Sequence, residues 1–272
     1  MNHCHYHILW PGGNTTAIVD QYPTTLSRSA LAQMIMVSRP EIEQVGFISP
    51  SDNADYPFCL HMMGGEFCGN AARSAAYLYA RRSGLDHFSF MVSGFNQPVR
   101  ASVTEQAAAI TLPGEFMLRK KSAGDHVVVD LQGICHIVVF GDRQNSTSTD
   151  LIRQYFQPDL AAIGIMYVKR DKQLTLDPVV YVRDMKKLVA ETACGSGSIA
   201  VALALRSDQS NFDRYVIQQP TGAVFTVEVT ANSHQVQSIF LEGPVSYQGE
   251  ASLVLPPVAS EKQFVYPFTR AS

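Results

Sequence analysis

The chain has 272 residues, a net charge of −3, and 46% hydrophobic against 17% charged residues. This length is typical of two domains, and the composition is typical of a globular protein with substantial cores. Nucleic acids and anionic membranes usually require clustered Lys and Arg, so neither is an expected partner. The first residues are too polar for a signal peptide, and no apolar run approaches the roughly 20 residues of a membrane span. We therefore expect a cytoplasmic protein whose five cysteines are reduced thiols.

Predicted strands alternate with two predicted helices in the first half of the chain. Helical spacing runs over residues 26–37, with Thr25 or Ser27 as the N-cap residue. The alanine-rich segment 69–82 predicts a second helix, which Gly84 ends at the usual C-terminal glycine position. The predicted strands cover residues 17–20, 44–48, 58–63, 88–92, 99–104 and 108–112.

The second half begins after residues 115–124, which combine three basic residues with little apolar periodicity and are interpreted as a linker. A helix is predicted near 151–156, and a second one includes residues 198–205, which have no polar face. This second helix should be buried all round, as a sheet wrapped closely around it would require. The tail 256–272 has little pattern. The predicted strands cover residues 126–129, 134–140, 163–169, 175–182, 215–218, 224–229 and 236–241.

Two short stretches of the sequence are similar to each other. Residues 65–72 read GEFCGNAA and residues 191–198 read ETACGSGS, so each places a cysteine, a glycine and a small polar residue before an alanine-rich helix. We expect an α/β (α+β) fold of two pseudo-symmetric domains, each a curled sheet around a central helix. The domains would span residues 1–116, with Cys68, and 117–272, with Cys194. The active site would lie in the cleft where the two helix N-termini meet.

A thiol at a helix N-terminus contacts unpaired backbone N–H groups and the positive end of the helix dipole. Lowering a cysteine pKa from about 8.5 to about 7 takes roughly 2 kcal/mol, the upper end of what a helix terminus supplies. We expect one of Cys68 and Cys194 to wait as thiolate while the other is kept as thiol. Such a pair could remove a proton from one face of a carbon and return one to the other. Two buried cysteines that pack as small hydrophobic residues are the alternative, which the matched motifs disfavour.

The Cys68-Gly69-Asn70 motif and the second motif, residues 193–197, resemble the two catalytic loops of the diaminopimelate epimerase type of cofactor-independent amino-acid racemases and epimerases. The resemblance implies inversion of a free amino acid at Cα by Cys68 and Cys194 as acid and base. It implies no pyridoxal phosphate, no metal, and a homodimer. It also implies that loop N–H groups and asparagines hold the substrate. The expected substrate-binding residues are Asn14, Glu43, Gln44, Gly69, Asn70, Gly195 and Ser196.

The chain departs from diaminopimelate epimerases where those enzymes hold the far end of their substrate. Their Glu-Arg-Gly sequence before the second cysteine is replaced here by residues 185–188, MKKL. A closer similarity, at residues 43–48 and 218–222, is to the histidine racemases that supply D-histidine for nicotianamine-like, staphylopine-type metallophores. This resemblance implies histidine as the substrate, with Glu43 at its side chain. Diaminopimelate or another amino acid is the alternative within the class.

The sequence fits two other classes of protein less well than an isomerase. A dithiol redox enzyme is disfavoured because neither cysteine lies in a Cys-x-x-Cys motif. A non-catalytic binding protein on the same fold would not need both thiols.

The N-terminal sequence HCHYH holds metal-ligating residue types. On a strand, His3, His5 and His7 share one face while Cys4 points to the other. No second ligand cluster with metal spacing appears, so we interpret this segment as a half-solvated first strand rather than a metal site.

Three more polar residues lie in or near the similar stretches. A carboxylate that touches a thiolate disfavours it, so Glu66 and Glu191 are expected to hold loop backbone. His136 could face the substrate or fill the core, and the sequence leaves both open.

Overall fold

The computed structural model describes residues 3–23, 26–143, 145–184, 186–232, 234–255 and 263–265. Within these ranges the α-helices are α1 (Arg28–Ser38), α2 (Gly69–Ser83), α3 (Asn145–Tyr155) and α4 (Gly195–Leu205). The strands are β1 (His3–Trp10), β2 (Thr16–Pro23), β3 (Gln44–Ser49), β4 (Cys59–Met62), β5 (His87–Val92), β6 (Val99–Val103), β7 (Ala107–Pro113), β8 (Met117–Ala123), β9 (His126–Leu131), β10 (Ile134–Phe140), β11 (Ala162–Arg170), β12 (Leu174–Val182), β13 (Lys187–Ala190), β14 (Phe212–Gln218), β15 (Val224–Asn232), β16 (Gln235–Pro244), β17 (Ser246–Val254) and β18 (Gln263–Val265). Of the helices in the described ranges, none is both long and apolar enough to cross a membrane.

The fold is a sheet-dominated α+β arrangement in which most strands form one hydrogen-bonded series, while β13 pairs with β12 and β18 pairs with β2. One run is ordered β17-β1-β2-β3-β4-β5-β6-β7, and a second is ordered β16-β15-β14-β12-β11-β10-β9-β8. The antiparallel pair β7–β16 joins the two runs. The parallel pairs β2–β3, β4–β5, β10–β11 and β12–β14 each have a helix between their strands, as parallel crossovers require.

Each run curls around one helix. Helix α2 packs against β2, β3, β4, β6 and β7, and α4 packs against β9, β10, β11, β14, β15 and β16. The alanines of α2 bring the sheet close because their side chains are small, and Ala71, Ala72, Ala75 and Ala76 are fully buried. In α4, the residues from Gly195 to Leu203 are all buried, which confirms the prediction of a buried helix up to Leu203, whereas Ala204 and Leu205 are half-buried. The two helices also contact each other.

The observed helix boundaries agree with the predicted ones at the positions where a capping residue occurs in the sequence. Ser27 caps α1 by accepting a hydrogen bond from the Ala30 N–H, whereas the alternative cap, Thr25, lies outside the described residues. Gly84 ends α2 in the left-handed conformation at φ 76°, where a glycine avoids steric strain.

The linker expected at residues 115–124 is wrong, because Met117–Ala123 forms strand β8, paired antiparallel with β9. Charged side chains face solvent along this strand, which lies at the edge of its sheet, and they oppose pairing of the edge with another chain. They also interrupt the alternation of apolar and polar residues by which a strand is predicted from sequence. Strands β13 and β17 were not predicted either. Strand β17 lies within the expected second domain in sequence but pairs with β1. The patternless tail 256–272 lies outside the described residues except for β18.

Arg73 of α2 is a fully buried cation that ties separate segments together. Its Nη2 donates to Asn70 Oδ1 and to the Pro11 carbonyl, both at 2.9 Å, and Nη1 donates to the Pro244 carbonyl at 3.3 Å. The guanidinium lies over the Phe225 ring, 4.3 Å from its centroid. Burial lowers the Arg73 pKa to about 9, so the group stays charged at neutral pH.

We expect Arg73→Met to reduce the free energy of unfolding by about 3 kcal/mol or more, because three buried acceptors lose their donor. Urea unfolding followed by circular dichroism measures the loss. The matched control is Arg100→Met on β6, an exposed position, where the change should stay within about 0.5 kcal/mol. Equal effects of the two substitutions would show that Arg73 does not anchor the helix.

Candidate active site

Each of the two motif cysteines caps the N-terminus of a buried helix. Cys68 precedes α2 with φ −132° and ψ 112°, and Cys194 precedes α4 with φ −138° and ψ 108°. The Cys68 sulfur accepts a hydrogen bond from Ala71 N at 3.4 Å, and the Cys194 sulfur accepts one from Gly197 N at 3.3 Å. The thiols therefore occupy the place that serine or threonine oxygens take at ordinary helix caps.

Glycine follows each cysteine because the two helix ends are in contact there. A Cβ at Gly69 would lie 2.9 Å from Leu241 Cδ2 and 3.3 Å from the Gly195 backbone. A Cβ at Gly195 would lie 3.0 Å from Asn70 Oδ1 and 3.1 Å from the Gly69 backbone. Packing thus requires the glycine that follows each cysteine.

Two asparagine side chains hold the loop that carries Cys194. Asn14 and Asn70 each donate a side-chain N–H to the Ala193 carbonyl, at 3.2 Å and 3.0 Å. The backbone N–H of Asn14 donates to Thr192 Oγ1 at 2.6 Å. Asn14 has a positive φ of 54°, which asparagine tolerates better than most residues. The N-terminal loop, the α2 cap and the second cysteine loop are therefore fixed relative to one another.

One pocket, partly open to solvent, contains both thiols in its wall. Gly69 lies at the helix contact described above. The other sequence-predicted site residues all line the pocket: Asn14, Glu43, Gln44, Cys68, Asn70, Cys194, Gly195 and Ser196. Lining residues that were not predicted as substrate-binding include Met63, Glu66, Ile134, Val182 and Glu191.

The environments of the two thiols differ. The Cys68 thiol donates to Gln44 Oε1 at 2.9 Å, and Gln44 Nε2 in turn donates to Thr16 Oγ1 at 2.7 Å. Cys194 Sγ lies 3.7 Å from Ser196 Oγ, which is 3.0 Å from Nε2 of the fully buried His136. Burial lowers the His136 pKa to about 3, so its imidazole is neutral at physiological pH. His136 is therefore a core residue that reaches the site through Ser196.

Three carboxyl groups line the pocket. Glu43 accepts hydrogen bonds from Thr192 Oγ1 at 2.6 Å, from Thr192 N at 3.3 Å and from Thr15 N at 3.4 Å. Glu66 accepts from the backbone of its own loop, as expected from the sequence. Glu191 differs from that expectation because its carboxylate bonds to the Cys194 thiol and to Asn14. Oε2 of Glu66 and Oε2 of Glu191 have no hydrogen-bond partner among the described residues.

Burial dominates the ionisation of the site. Burial first, and nearby carboxylates second, raise the pKa of Cys68 to about 12 and the pKa of Cys194 well above its ordinary value. The helix N–H groups lower the thiol pKa but are outweighed, so the expectation of a pKa near 7 from the helix end alone is not met. Burial likewise raises the pKa of Glu66 and of Glu191 to about 7. A thiolate here needs a compensating positive charge or an adjacent base.

The raised carboxyl pKa values of Glu66 and Glu191 predict a specific pH dependence of stability. Each group is protonated more readily in the folded than in the unfolded chain, so its stabilising contribution is complete below about pH 4.5 and is lost as pH rises through about 7. Each loss amounts to at most roughly 3 kcal/mol. Urea unfolding between about pH 5 and about pH 8 should show Glu66→Gln flattening the profile. The exposed control Glu105→Gln should retain the wild-type slope, and a Glu66→Gln profile parallel to wild type would contradict the assignment.

Comparison of the chain with known proteins identifies its family. A family profile described as the histidine racemase CntK N-terminal domain matches residues 4–252. A histidine racemase of Fusobacterium nucleatum subsp. nucleatum is 29% identical over 265 residues, covering 90% of this chain and 95% of the relative. A histidine racemase of Staphylococcus aureus is 25% identical over 232 residues, covering 79% and 84% of the two chains.

Among solved structures, a probable proline racemase from Agrobacterium radiobacter superposes with a TM-score of 0.60 at 10% identity. The match covers 93% of this chain and 94% of that structure. At this identity the likeness concerns the fold alone, whereas the family profile covers most of the sequence. The chain belongs to the histidine racemase CntK N-terminal domain family.

Proposed function

We propose that this isomerase racemises L-histidine at Cα, with Cys68 and Cys194 as the two acid–base groups. The observation that carries the proposal is that two thiols at two helix N-termini share the wall of one pocket. Membership of the family and the histidine racemase relatives support an amino-acid racemase.

We also propose that the chain consists of two pseudo-symmetric domains, 1–116 and 117–272, with strand β17 contributed to the first sheet. Matching strand pairs support this division. The parallel pair β4–β5 flanks α2 as β12–β14 flanks α4, and β2–β3 flanks α1 as β10–β11 flanks α3. The outer strand β17 pairs with β1 as β8 pairs with β9. Such symmetry would present the two thiols to opposite faces of one substrate.

Inversion requires one thiolate and one thiol at the start of each turnover. The thiolate removes the Cα proton from one face, the electron pair passes to the substrate carboxylate, and the opposite thiol protonates Cα from its own face. Because burial keeps both thiols protonated, the substrate ammonium supplies the compensating positive charge. Glu191, which bonds to the Cys194 thiol and has a pKa near 7, accepts the Cys194 proton in this scheme.

The substrate carboxylate would lie at the helix ends. The first N–H groups of a helix have no intrahelical acceptor, and the helix dipole favours an anion there. Gly69 and Asn70 provide such groups at α2, and Gly195 and Ser196 provide them at α4. Negative charge that develops on the carboxylate as the Cα proton leaves would be stabilised by the same groups.

The acidic pocket favours an imidazole side chain. No lysine or arginine is among the described lining residues, whereas Glu43, Glu66 and Glu191 are all present. The sequence resemblance implies Glu43 at the substrate side chain, and no observation tests that role. Because its oxygens already accept hydrogen bonds from Thr15 and Thr192, we propose instead that Glu43 fixes these two loops. Glu66 Oε2, which has no hydrogen-bond partner among the described residues, accepts the imidazole N–H in this scheme.

The homodimer and the use of D-histidine in metallophore synthesis stay predictions of the sequence resemblance, and the cytoplasmic location stays a prediction of the composition and cysteine content. They are independent of the chemistry proposed for the pocket.

Substrate selection tests the proposed function. L-Histidine, L-lysine, L-glutamate and diaminopimelate should be compared by steady-state racemisation, with chirality read on the recovered amino acid. We expect L-histidine to be preferred and diaminopimelate to be used at least about a hundredfold less well, since a buried distal carboxylate without a partner costs about 2.7 kcal/mol or more. Glu66→Gln should lower kcat/KM for histidine, and exposed Glu105→Gln should not. Preference for diaminopimelate, or an unchanged Glu66→Gln enzyme, would refute the side-chain assignment.

Replacing either pocket thiol tests the acid–base pair. Cys68→Ser and Cys194→Ser should each reduce kcat by about 10²–10⁴ or more, because a hydroxyl is a far weaker acid than a thiol. Cys59→Ser, on strand β4 and half-buried, is the matched control and should retain activity. A Cys68→Ser or Cys194→Ser enzyme with near-normal kcat would remove that residue from the mechanism.

A further inference from the structure

A second group of chemically active side chains lies on the first strand, among residues that do not line the pocket. His5 and His7 lie on the same face of β1, and Glu250 of β17 is the register partner of His7. Cys4 is buried on the opposite face of the strand. His5, His7 and Glu250 each offer one ligand atom, and these three atoms lie within 4.8 Å of one another.

The separations within this group match the edges of a metal coordination shell. His5 Nε2 lies 3.6 Å from Glu250 Oε2, and His7 Nδ1 lies 3.7 Å from the same oxygen. For ligands about 2.0–2.1 Å from a tetrahedral zinc ion, the ligand–ligand distance is about 3.3 Å. Small side-chain rotations would therefore bring the three atoms into coordination distance of one ion.

The carboxylate of Asp20 on β2 lies near the ring nitrogen of each histidine that does not face Glu250. Its Oδ2 lies 3.2 Å from His7 Nε2, and its Oδ1 lies 3.6 Å from His5 Nδ1. The Asp20 side chain is only 5% exposed, and Oδ1 has no hydrogen-bond partner among the described residues. Metal-binding histidines characteristically donate their second ring N–H to such a carboxylate, which fixes the ring and its tautomer.

Arg82 of α2 is the positively charged side chain that contacts this group. Its Nη1 donates to Asp20 Oδ2 at 2.9 Å, and its Nη2 lies against His7 Nε2. A guanidinium only donates, so His7 Nε2 accepts from Arg82 in this structure and the ring proton lies on Nδ1. For Nδ1 to bind a cation, this proton must move to Nε2, which then donates to Asp20 after Arg82 Nη2 shifts away. Two carboxylates and one guanidinium leave a net charge of −1 around the position of the cation.

We propose that His5, His7 and Glu250 bind one divalent transition-metal ion of the zinc type. Two imidazoles and one carboxylate suit zinc and its neighbours, whereas calcium and magnesium prefer all-oxygen ligands. The His5 side chain is 33% exposed and that of Glu250 62% exposed, so water can reach the ion and complete its coordination. The sequence analysis interpreted this strand as half-solvated rather than as a metal site. The third ligand, Glu250, was not recognised there because strand β17 was not predicted.

Cobalt(II) serves as a spectroscopic probe in the test, and isothermal titration with Zn²⁺ gives the affinity. The full-length chain should bind one Co²⁺ saturably, with visible d–d bands and without a near-ultraviolet thiolate charge-transfer band. His5→Gln and Glu250→Gln should each weaken binding by at least about tenfold. The matched control His3→Gln changes an exposed histidine of the same strand and should leave the affinity unchanged. Circular dichroism checks that the variants fold.

Three results would overturn the proposal. The first is the absence of saturable Co²⁺ or Zn²⁺ binding to the folded wild-type chain. The second is unchanged affinity in the folded double variant His5→Gln, Glu250→Gln. The third is a thiolate charge-transfer band that disappears in Cys68→Ser or Cys194→Ser, which would place the ion in the pocket instead.

Discussion

The contact between the N-termini of α2 and α4 is the constraint on which the rest of the site depends. It is possible because Gly69 and Gly195 have no side chain at the point where the helices meet. Since each helix is capped by a cysteine, bringing the helix ends together also brings both thiols into one pocket. The buried guanidinium of Arg73 and the Asn70 amide then fix the surrounding loops.

The electrostatic cost of enclosing this pocket shapes its chemistry. Burial opposes every negative charge, and it outweighs the helix N–H groups that would stabilise a thiolate. The same enclosure holds the Glu66 and Glu191 carboxyls near neutrality, where each can accept or release a proton. A cationic amino acid supplies the charge that the pocket lacks, so substrate binding and thiol activation are linked in the proposed mechanism. In that proposed mechanism, the positive charge of the substrate offsets the cost of forming a thiolate in an acidic pocket.

The sequence predicted those parts of the fold that local pattern determines. The caps, the alanine-rich helix α2 and the buried helix α4 follow from residue types and spacing. The two cysteines stand out because their motifs repeat. The edge strand β8 was missed because its charged exposed face hides the period of a strand. The pairing of β17 with β1 was missed because it joins residues far apart in sequence. Glu66 and Glu191 were recognised, but their burial and the contact of Glu191 with Cys194 depend on tertiary structure.

The two-base mechanism is tested most directly by following hydrogen exchange at Cα during racemisation of L-histidine in D₂O. If one thiol removes the proton and the other supplies a solvent-derived deuteron, the early D-histidine carries deuterium at Cα. The L-histidine that remains at the same time should still carry protium. Equal deuterium in both isomers early in the reaction would show a single base exchanging with solvent and would contradict the mechanism.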